Sequence, residues 1–412
     1  MNDYKYFDDL NIELIDGDRG KNYPRNDEMF EKEYCLFLNA KNVTINGFVF
    51  DENVFITKEK DELLRKGKLN RNDIVLTTRG TIGNVGLYDE SVKYDNVRIN
   101  SGMLIIRNND LNINTKYLYY QLTSPFIRDQ IFSLKTGSAQ PQIPITVLKK
   151  LKLLIPDKNI QDKIVKVMDS VVNKIKLNNE INNNLYEFTN KLFEEKILNN
   201  QDKDDWTEYV LSDISKMING YSYKGNELTD KSDIGMATIK NFERTGGFKL
   251  DGFKDLTPEK AKKDHYVKPY EVLVACTDLT QNADIIGNAI MLLNTLDYNE
   301  IIMSMDLVKL VPITNFVNNY MLYAIVNSKD FKDFALGYKS GTTVLHLNKN
   351  CFKEYTIKLP NEDILKDLSK VIEVNYKKLS QIIAENKKLE QLRDTLLPKL
   401  MNGEIDLDNI EI

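Results

Sequence analysis

The stretch LKTGSAQPQIPITVLKKLKLLIP, residues 134–156, decides the organisation of the chain because its outline returns near the other end. Residues 338–360 read YKSGTTVLHLNKNCFKEYTIKLP, and Gly137 aligns with Gly341 at an offset of 204 positions. A chain of 412 residues is longer than one hydrophobic core usually supports. The repeat therefore predicts two copies of one domain.

The repeat continues upstream through a strand and the loop that follows it. IGN occurs at residues 82–84 and again at 286–288, with the same offset. Just before it, DIVLTT (73–78) aligns with EVLVAC (271–276), so the second copy has extra residues in the intervening loop. In both copies an apolar run ends in small or polar residues and a glycine turn. This pattern is typical of a buried strand that delivers a functional loop to the surface.

Each copy is followed by a long helical pattern. Apolar residues recur at alternating spacings near three and four from Ile164 and again from Leu365, which predicts two helices of roughly 60 Å with a coiled-coil seam. Asn182 and Asn386 fall on or beside the seams. An asparagine pair there would fix the register of the helices, and simple exposure to solvent is the alternative. We expect antiparallel pairing, which would place the two domains at opposite ends of a rod.

The predicted fold class is thus α+β, with two pseudo-repeated globular domains separated by two long antiparallel coiled-coil helices. The expected boundaries are a first domain at 1–157, a first helix at 158–200, a second domain at 201–360, a second helix at 361–402 and a tail at 403–412.

Composition and cysteine usage indicate an intracellular globular protein. Hydrophobic residues make up 42% of the chain, yet no apolar run approaches the roughly 18 residues of a membrane span. The first residues, MNDYKYFDDL, show no secretion signal. Three cysteines, Cys35, Cys276 and Cys351, are odd in number and far apart, which favours reduced thiols over disulfides. We therefore expect a cytoplasmic location.

The charge is mildly acidic but unevenly distributed. A net charge of −5 argues against a protein that coats nucleic acid indiscriminately, without excluding sequence-specific binding. Basic residues cluster in RKGKLNR (65–71), KKLK (149–152) and KAKK (260–263). A polarised surface and an ordinary solvated face both explain such clusters.

The sequence motifs of common active sites are missing. With only His265 and His346, the chain has almost no material for histidine metal sites or Ser-His and Cys-His pairs. GDRGKN, which begins at Gly17, lacks the spacing of a phosphate-binding loop, and neither GxGxxG nor an NPPY-like motif occurs. Acidic residues are too numerous for the sequence to exclude paired carboxylates. We predict a protein that is not an enzyme, binds no metal and has no cofactor in this chain.

The order and duplication of these pieces resemble the specificity subunit of type I restriction-modification systems over nearly the whole chain. Supporting stretches are NDIVLTTRGTIGNVG (72–86), WTEYVLSDISKMINGYSYKG (206–225) and LEQLRDTLLPKLMNGEI (389–405). The resemblance implies two target recognition domains that read the halves of a bipartite, asymmetric DNA site. It also implies helices that set the distance between the half-sites and dock partners.

The same resemblance implies the partners and the reaction that they perform. Two adenine methyltransferase subunits would bind S-adenosylmethionine and flip the target base. In systems that restrict, two translocating nuclease subunits would join them. Two alternatives stay open: a duplicated protein-interaction scaffold without DNA specificity, and a fragment of a fused restriction-methylation protein that retains catalysis.

Polar residues on the predicted loops are the candidates for DNA binding, because Arg, Lys, Asn, Gln, Ser and Thr read base edges in the major groove. In the first domain they are Arg19, Lys21, Tyr23, Thr78, Arg79, Thr81, Ser138, Gln140 and Gln142. In the second they are Tyr221, Tyr223, Lys224, Thr277, Asp278, Gln281, Ser340, Thr342, Thr343 and His346. Ordinary polar turns are the alternative for each, and a partly buried imidazole is a further alternative for His346.

Overall fold

The computed structural model describes residues 4–134, 142–244, 246–280, 282–405 and 407. The chain divides into two compact units: unit 1 comprises residues 1–175 and 389–412, and unit 2 comprises residues 176–388. Each unit contains mixed α and β structure, in agreement with the predicted fold class.

The elements that begin in unit 1 are mostly short strands and helices. The strands are β1 Tyr4–Tyr6, β2 Ile12–Asp16, β3 Cys35–Leu38, β4 Val43–Thr44, β5 Gly47–Phe48, β6 Phe55–Ile56, β7 Asp73–Thr77, β8 Val85–Tyr88, β9 Val97–Ile99, β10 Met103–Asn108 and β11 Lys152–Leu154. The helices are α1 Lys58–Leu63, α2 Thr115–Thr123, α3 Pro125–Ser133, α4 Ile145–Leu148 and the long α5 Lys158–Phe193, which continues into unit 2.

The remaining elements begin in unit 2. The strands are β12 Thr207–Val210, β13 Ser215–Asn219, β14 Ile234–Ala237, β15 Lys254–Asp255, β16 Tyr266–Val267, β17 Val272–Ala275, β18 Thr277–Asp278, β19 Ala289–Met291, β20 Glu300–Met303, β21 Leu307–Pro312, β22 Lys339–Ser340, β23 Leu345–Leu347 and β24 Thr356–Leu359. The helices are α6 Leu211–Ile214, α7 Asn319–Val326, α8 Lys329–Leu336, α9 Cys351–Glu354 and the long α10 Glu362–Met401.

The two units repeat one sheet topology. The antiparallel order β2-β10-β7-β8 in unit 1 corresponds to β13-β21-β17-β19 in unit 2. A second sheet contains one parallel pair in each unit, β3 with β9 and β14 with β20. A two-stranded ribbon, β1 with β11 or β12 with β24, joins the start of each repeat to its end. The internal duplication in the sequence is therefore a duplication of the fold.

Matching side chains start matching helices. The Asn114 side chain accepts hydrogen bonds from the first turn of α2, and Asn318 does the same for α7. Ser124 caps α3 and Ser328 caps α8. Asparagine and serine satisfy the free N–H groups of a first turn, and each pair of caps lies 204 positions apart. The repeat thus preserves the residues that decide where these helices begin.

The two long helices supply part of the core of each unit. In unit 1, Ile164 and Met168 of α5 pack with Leu397 and Leu400 of α10. In unit 2, buried residues of α10 that include Leu365 join the main apolar cluster. α5 has 36 residues and ends in a π-helical turn, whereas α10 has 40 residues and contains Pro398 near its end.

Within unit 2 the two helices are antiparallel, as predicted. Asn178 donates to Asn386 at 2.8 Å, and Asn375 donates to Thr189 at 3.0 Å, so higher residue numbers on α5 meet lower numbers on α10. The Asn386 amide donates in turn to Asn179 at 2.8 Å. An asparagine contact does cross the seam, but it joins Asn386 to Asn178 and Asn179 rather than to Asn182, so the Asn182–Asn386 pair that the sequence left open does not form.

All three cysteines are free and buried. Burial raises the pKa of Cys35, Cys276 and Cys351 to about 12. Within the described residues, no helix combines the length and the apolar character that crossing a membrane would require.

Candidate DNA interface

In unit 1 the first two predicted loops meet at the turn between β9 and β10. Arg19 donates to the carbonyl oxygen of Ser101 at 3.4 Å. The backbone N–H groups of Thr78 and Arg79 donate to the carbonyl of Gly102 at 2.8 and 3.2 Å. Loops that are about sixty residues apart in sequence thus share one surface.

The third loop of unit 1 joins the second. Arg79 and Gln142 form an isolated antiparallel bridge, and Arg79 Nε donates to Gln142 Oε1 at 3.2 Å. Ile143 N–H also donates to the carbonyl of Thr78 at 3.2 Å. An arginine and a glutamine held side by side present the donors and acceptors that suit guanine and adenine edges in the major groove.

Unit 2 brings its three loops together around the equivalent turn. Tyr221 forms a parallel bridge with Ser304, and Cys276 N–H donates to the carbonyl of Asp306 at 2.8 Å. Strand β18 pairs with β23, so that Thr277 lies opposite His346. The predicted loops therefore converge in both units on the same part of the framework.

A glycine starts the first loop of each unit for a steric reason. A Cβ atom at Gly17 would overlap the carbonyl oxygen of Asn100, and one at Gly220 would overlap that of Ser304. After β2 and after β13 the backbone runs very close to the turn between β9 and β10 and to the equivalent turn of unit 2. Any residue larger than glycine would therefore push the two backbones apart.

Several predicted residues expose their side chains on these loops. In unit 1 they are Arg19, Lys21, Arg79, Thr81 and Gln142; in unit 2 they are Lys224, Ser340, Thr342, Thr343 and His346. The exposed imidazole of His346 does not fit the alternative of a partly buried ring. DNA contact by this set stays a prediction. Ser138, Gln140 and Gln281 lie outside the described residues.

Other predicted residues pack or bond inside the fold. The Thr78 hydroxyl donates to the carbonyl of Gly102 at 3.0 Å, and Tyr221 donates to Glu227 at 2.6 Å. Thr277 is buried in β18. Tyr23 packs edge-on against Phe37. These contacts position the loops, and DNA contact by these four residues stays a prediction.

Asp278 organises the longer loop of unit 2. Its carboxylate is 1% exposed and accepts hydrogen bonds from the backbone N–H groups of Thr280 at 2.8 Å and Ile285 at 2.6 Å. Burial raises the pKa of Asp278, but these hydrogen bonds outweigh it and hold the pKa below its usual value. The carboxylate thus bonds to the backbone of its own loop, and contact of Asp278 with DNA stays a prediction. Tyr223 is half-buried, with Lys254 Nζ 6.0 Å from its ring centre.

No group of three or more His, Cys, Asp or Glu residues that could hold a metal ion occurs in the described part of the chain.

Sequence reasoning gave no role to two basic segments beside the first loops. Arg65 N–H donates to Asp18 of the first loop in unit 1, and Lys260 N–H donates to Tyr221 in unit 2. The signal was the clustering of positive charge, which by itself favours an ordinary solvated surface.

Comparison with known proteins identifies one family along the chain. A sequence model for the type I restriction modification DNA specificity domain matches residues 18–187 and 203–393. The HindI specificity subunit of a type I restriction enzyme from Haemophilus influenzae is 24% identical over 457 residues, covering 94% of this chain and 98% of that protein. The MjaIX specificity subunit from Methanocaldococcus jannaschii is 23% identical, covering 82% and 79%.

The fold is similar to that of a solved relative. The crystal structure of a type I restriction-modification S subunit from M. genitalium superposes with a TM-score of 0.54 at 17% identity, over 97% of this chain and 95% of that one. This likeness shows that the two chains share the architecture of one fold.

Proposed function

Because the chain belongs to the type I restriction-modification DNA specificity family, we propose that its two units read the two halves of one divided DNA sequence. The observation that carries the proposal is the same arrangement in both units: two loops meet at one turn, and the third loop pairs with the second. The chain is a non-catalytic specificity subunit, and the duplicated-scaffold alternative is not favoured.

The exposed groups differ between the units. Unit 1 presents Arg79 with Gln142, whereas unit 2 presents His346 opposite the buried Thr277. Different donors and acceptors on the same framework select different bases. The two half-sites should therefore be unlike, and the whole site should be asymmetric.

The chain is proposed to act with subunits that carry out the chemistry. The HindI and MjaIX relatives are named as parts of type I restriction enzymes. Two adenine methyltransferase subunits would bind S-adenosylmethionine, and two translocating nuclease subunits would join where the complex restricts DNA. We place the assembly in the cytoplasm, where the three free cysteines would stay reduced.

The proposal is tested by mapping methylated bases. DNA from cells that express this chain with its genomically adjacent methyltransferase would be sequenced by long-read methods that detect methyladenine. Cells that lack only this chain are the control. We expect an asymmetric, bipartite methylated motif that disappears in the control.

An unchanged methylation pattern, with both proteins shown to be expressed, would contradict the proposal. A palindromic motif would contradict the assignment of different half-sites to the two units.

A further inference from the structure

Each unit carries an exposed basic segment next to its first reading loop. In unit 1 it consists of Arg65 and Lys66, and in unit 2 of Lys260, Lys262 and Lys263. These are two of the clusters for which the sequence favoured an ordinary solvated face over a polarised surface. Their backbone contacts with the first loops bear on that choice.

In unit 1 a buried carboxylate ties the basic segment to the first loop. Asp18 is 6% exposed and accepts hydrogen bonds from the N–H of Gly20 at 2.7 Å and the N–H of Arg65 at 2.8 Å. The hydrogen bond from Gly20 and the one from Arg65 hold the pKa of Asp18 below its ordinary value, so the group stays ionised. The Arg65 side chain is 78% exposed, and its Nε lies 4.0 Å from Asp18 Oδ2.

The buried Arg98 side chain also fixes the backbone of this segment. Arg98 is 5% exposed, forms an ion pair with Asp61, and donates to the carbonyl oxygens of Lys66 at 2.8 Å and Leu64 at 3.1 Å. Gly67 has a φ of +88°, a conformation that other residues rarely adopt. The backbone of the segment is thus held rigidly while its cationic side chains face solvent.

Unit 2 reaches the same arrangement with different residues. Tyr221 of the first loop donates to the buried Glu227 at 2.6 Å and accepts from the N–H of Lys260 at 3.2 Å. Glu227 also accepts from the N–H of Glu259 at 3.4 Å. In both units, therefore, the buried polar group faces the backbone of the basic segment.

We propose that these two basic segments are phosphate-binding parts of the DNA interface and hold each unit on the duplex while the loops read bases. Phosphate contacts fix orientation without carrying sequence information. Such a role needs cations at fixed positions beside the reading loops, and the internal hydrogen bonds supply that rigidity. The inference rests on the proposed function and extends it to residues outside the predicted site.

The test is the salt dependence of DNA binding by the full chain in complex with its methyltransferase partner. Two duplexes are used, one with the methylated bipartite motif and one with both half-sites scrambled. The variants are R65Q/K66Q in unit 1 and K260Q/K262Q/K263Q in unit 2. The control is K5Q/K150Q, which removes two exposed lysines near the β1–β11 ribbon.

Each phosphate contact contributes about 0.9 to the slope of log affinity against log salt concentration. We expect the slope to fall by about 1–2 in R65Q/K66Q and about 2–3 in the triple variant, and to stay unchanged in the control. Both duplexes should lose affinity by the same factor, because phosphates are common to both. The charge-preserving variants K66R and K260R/K262R/K263R should keep the wild-type slope, which separates lost charge from lost folding.

Slopes equal to that of the control would overturn the inference. A changed preference between the duplexes at an unchanged slope would also overturn it, since that result indicates base reading. Failure of the wild-type complex to prefer the bipartite motif would instead contradict the proposed function.

Discussion

At the scale of single residues, the buried ion pair of Asp61 and Arg98 is the most consequential interaction in unit 1. Both side chains are nearly inaccessible, and Arg98 supports the carbonyls of the basic segment. Lys68 also contacts Asp61. A buried charge without its partner is strongly unfavourable, so the pair behaves as a unit. Its value lies in fixing a loop rather than in adding net stability.

Asp61→Asn should therefore lower the free energy of unfolding of unit 1 by about 3–5 kcal/mol, because Arg98 would lose its counter-charge in the interior. The measurement is unfolding in guanidinium chloride. Asp95→Asn is the matched control: Asp95 pairs with Arg71 but is 89% exposed, and its loss should cost less than about 1 kcal/mol. Equal effects of the two substitutions would contradict the structural role of the buried pair.

At the scale of elements, the contact between α5 and α10 in unit 2 is polar at its centre. Asn178 is 1% exposed and Asn386 is 8% exposed, and their amides bond to each other across the seam. The observed register of the two helices satisfies these amides together with Asn179 and the Asn375–Thr189 pair. The polar contacts therefore select one register among several apolar alternatives.

Asn386→Ala should destabilise unit 2 by about 1–3 kcal/mol, because it removes the hydrogen bonds of Asn386 to Asn178 and Asn179 and leaves the buried Asn178 amide with only its bond to Glu385. Hydrogen exchange of the α5 and α10 amides, with denaturant unfolding, measures the change. Asn184→Ala, at an exposed position of α5, is the control and should be neutral or slightly stabilising, since alanine favours helix. If Asn386→Ala left the stability of unit 2 unchanged, the asparagine contacts would not be what fixes the register of the two helices.

The sequence predicted elements better than it predicted contacts. Heptad spacing indicated both helices and their pairing, because burying an apolar stripe requires a partner. It did not indicate that Asn386 would meet Asn178 and Asn179, since antiparallel register depends on three-dimensional packing. Likewise, Thr78 and Asp278 stand in the sequence just after buried strands, where exposed loop residues also stand. Their polar side-chain atoms nevertheless form hydrogen bonds inside the fold. The neighbouring sequence does not distinguish a polar side chain that faces solvent from one that bonds inside the fold.

At the scale of the whole molecule, the chain uses one framework twice and links the copies through two long helices. α5 begins in unit 1 and ends in unit 2, whereas α10 begins in unit 2 and ends in unit 1. Different side chains on equivalent loops allow each unit to evolve its own base preference. The helices are the common structure, and we expect their length to set the gap in the DNA site.

Inserting one heptad into each long helix should lengthen the gap between half-sites by up to about three base pairs. Seven residues add about 10 Å of helix, and DNA rises about 3.4 Å per base pair. Both half-sequences should stay the same, because the loops are untouched. Methylated-base mapping measures the gap, with a Leu→Ile change in each helix as the control for altered packing. An unchanged gap would exclude the helices from this role.

The burial of every cysteine makes the native chain suitable for site-specific labelling. Cys35, Cys276 and Cys351 are shielded from reagents, and their raised pKa keeps them protonated at neutral pH, where only thiolates react rapidly. A cysteine introduced at Lys21 or Lys224 would thus be the single reactive thiol in an otherwise unmodified background. Fluorescent dyes attached there, one per unit, could report when each half of a duplex is engaged.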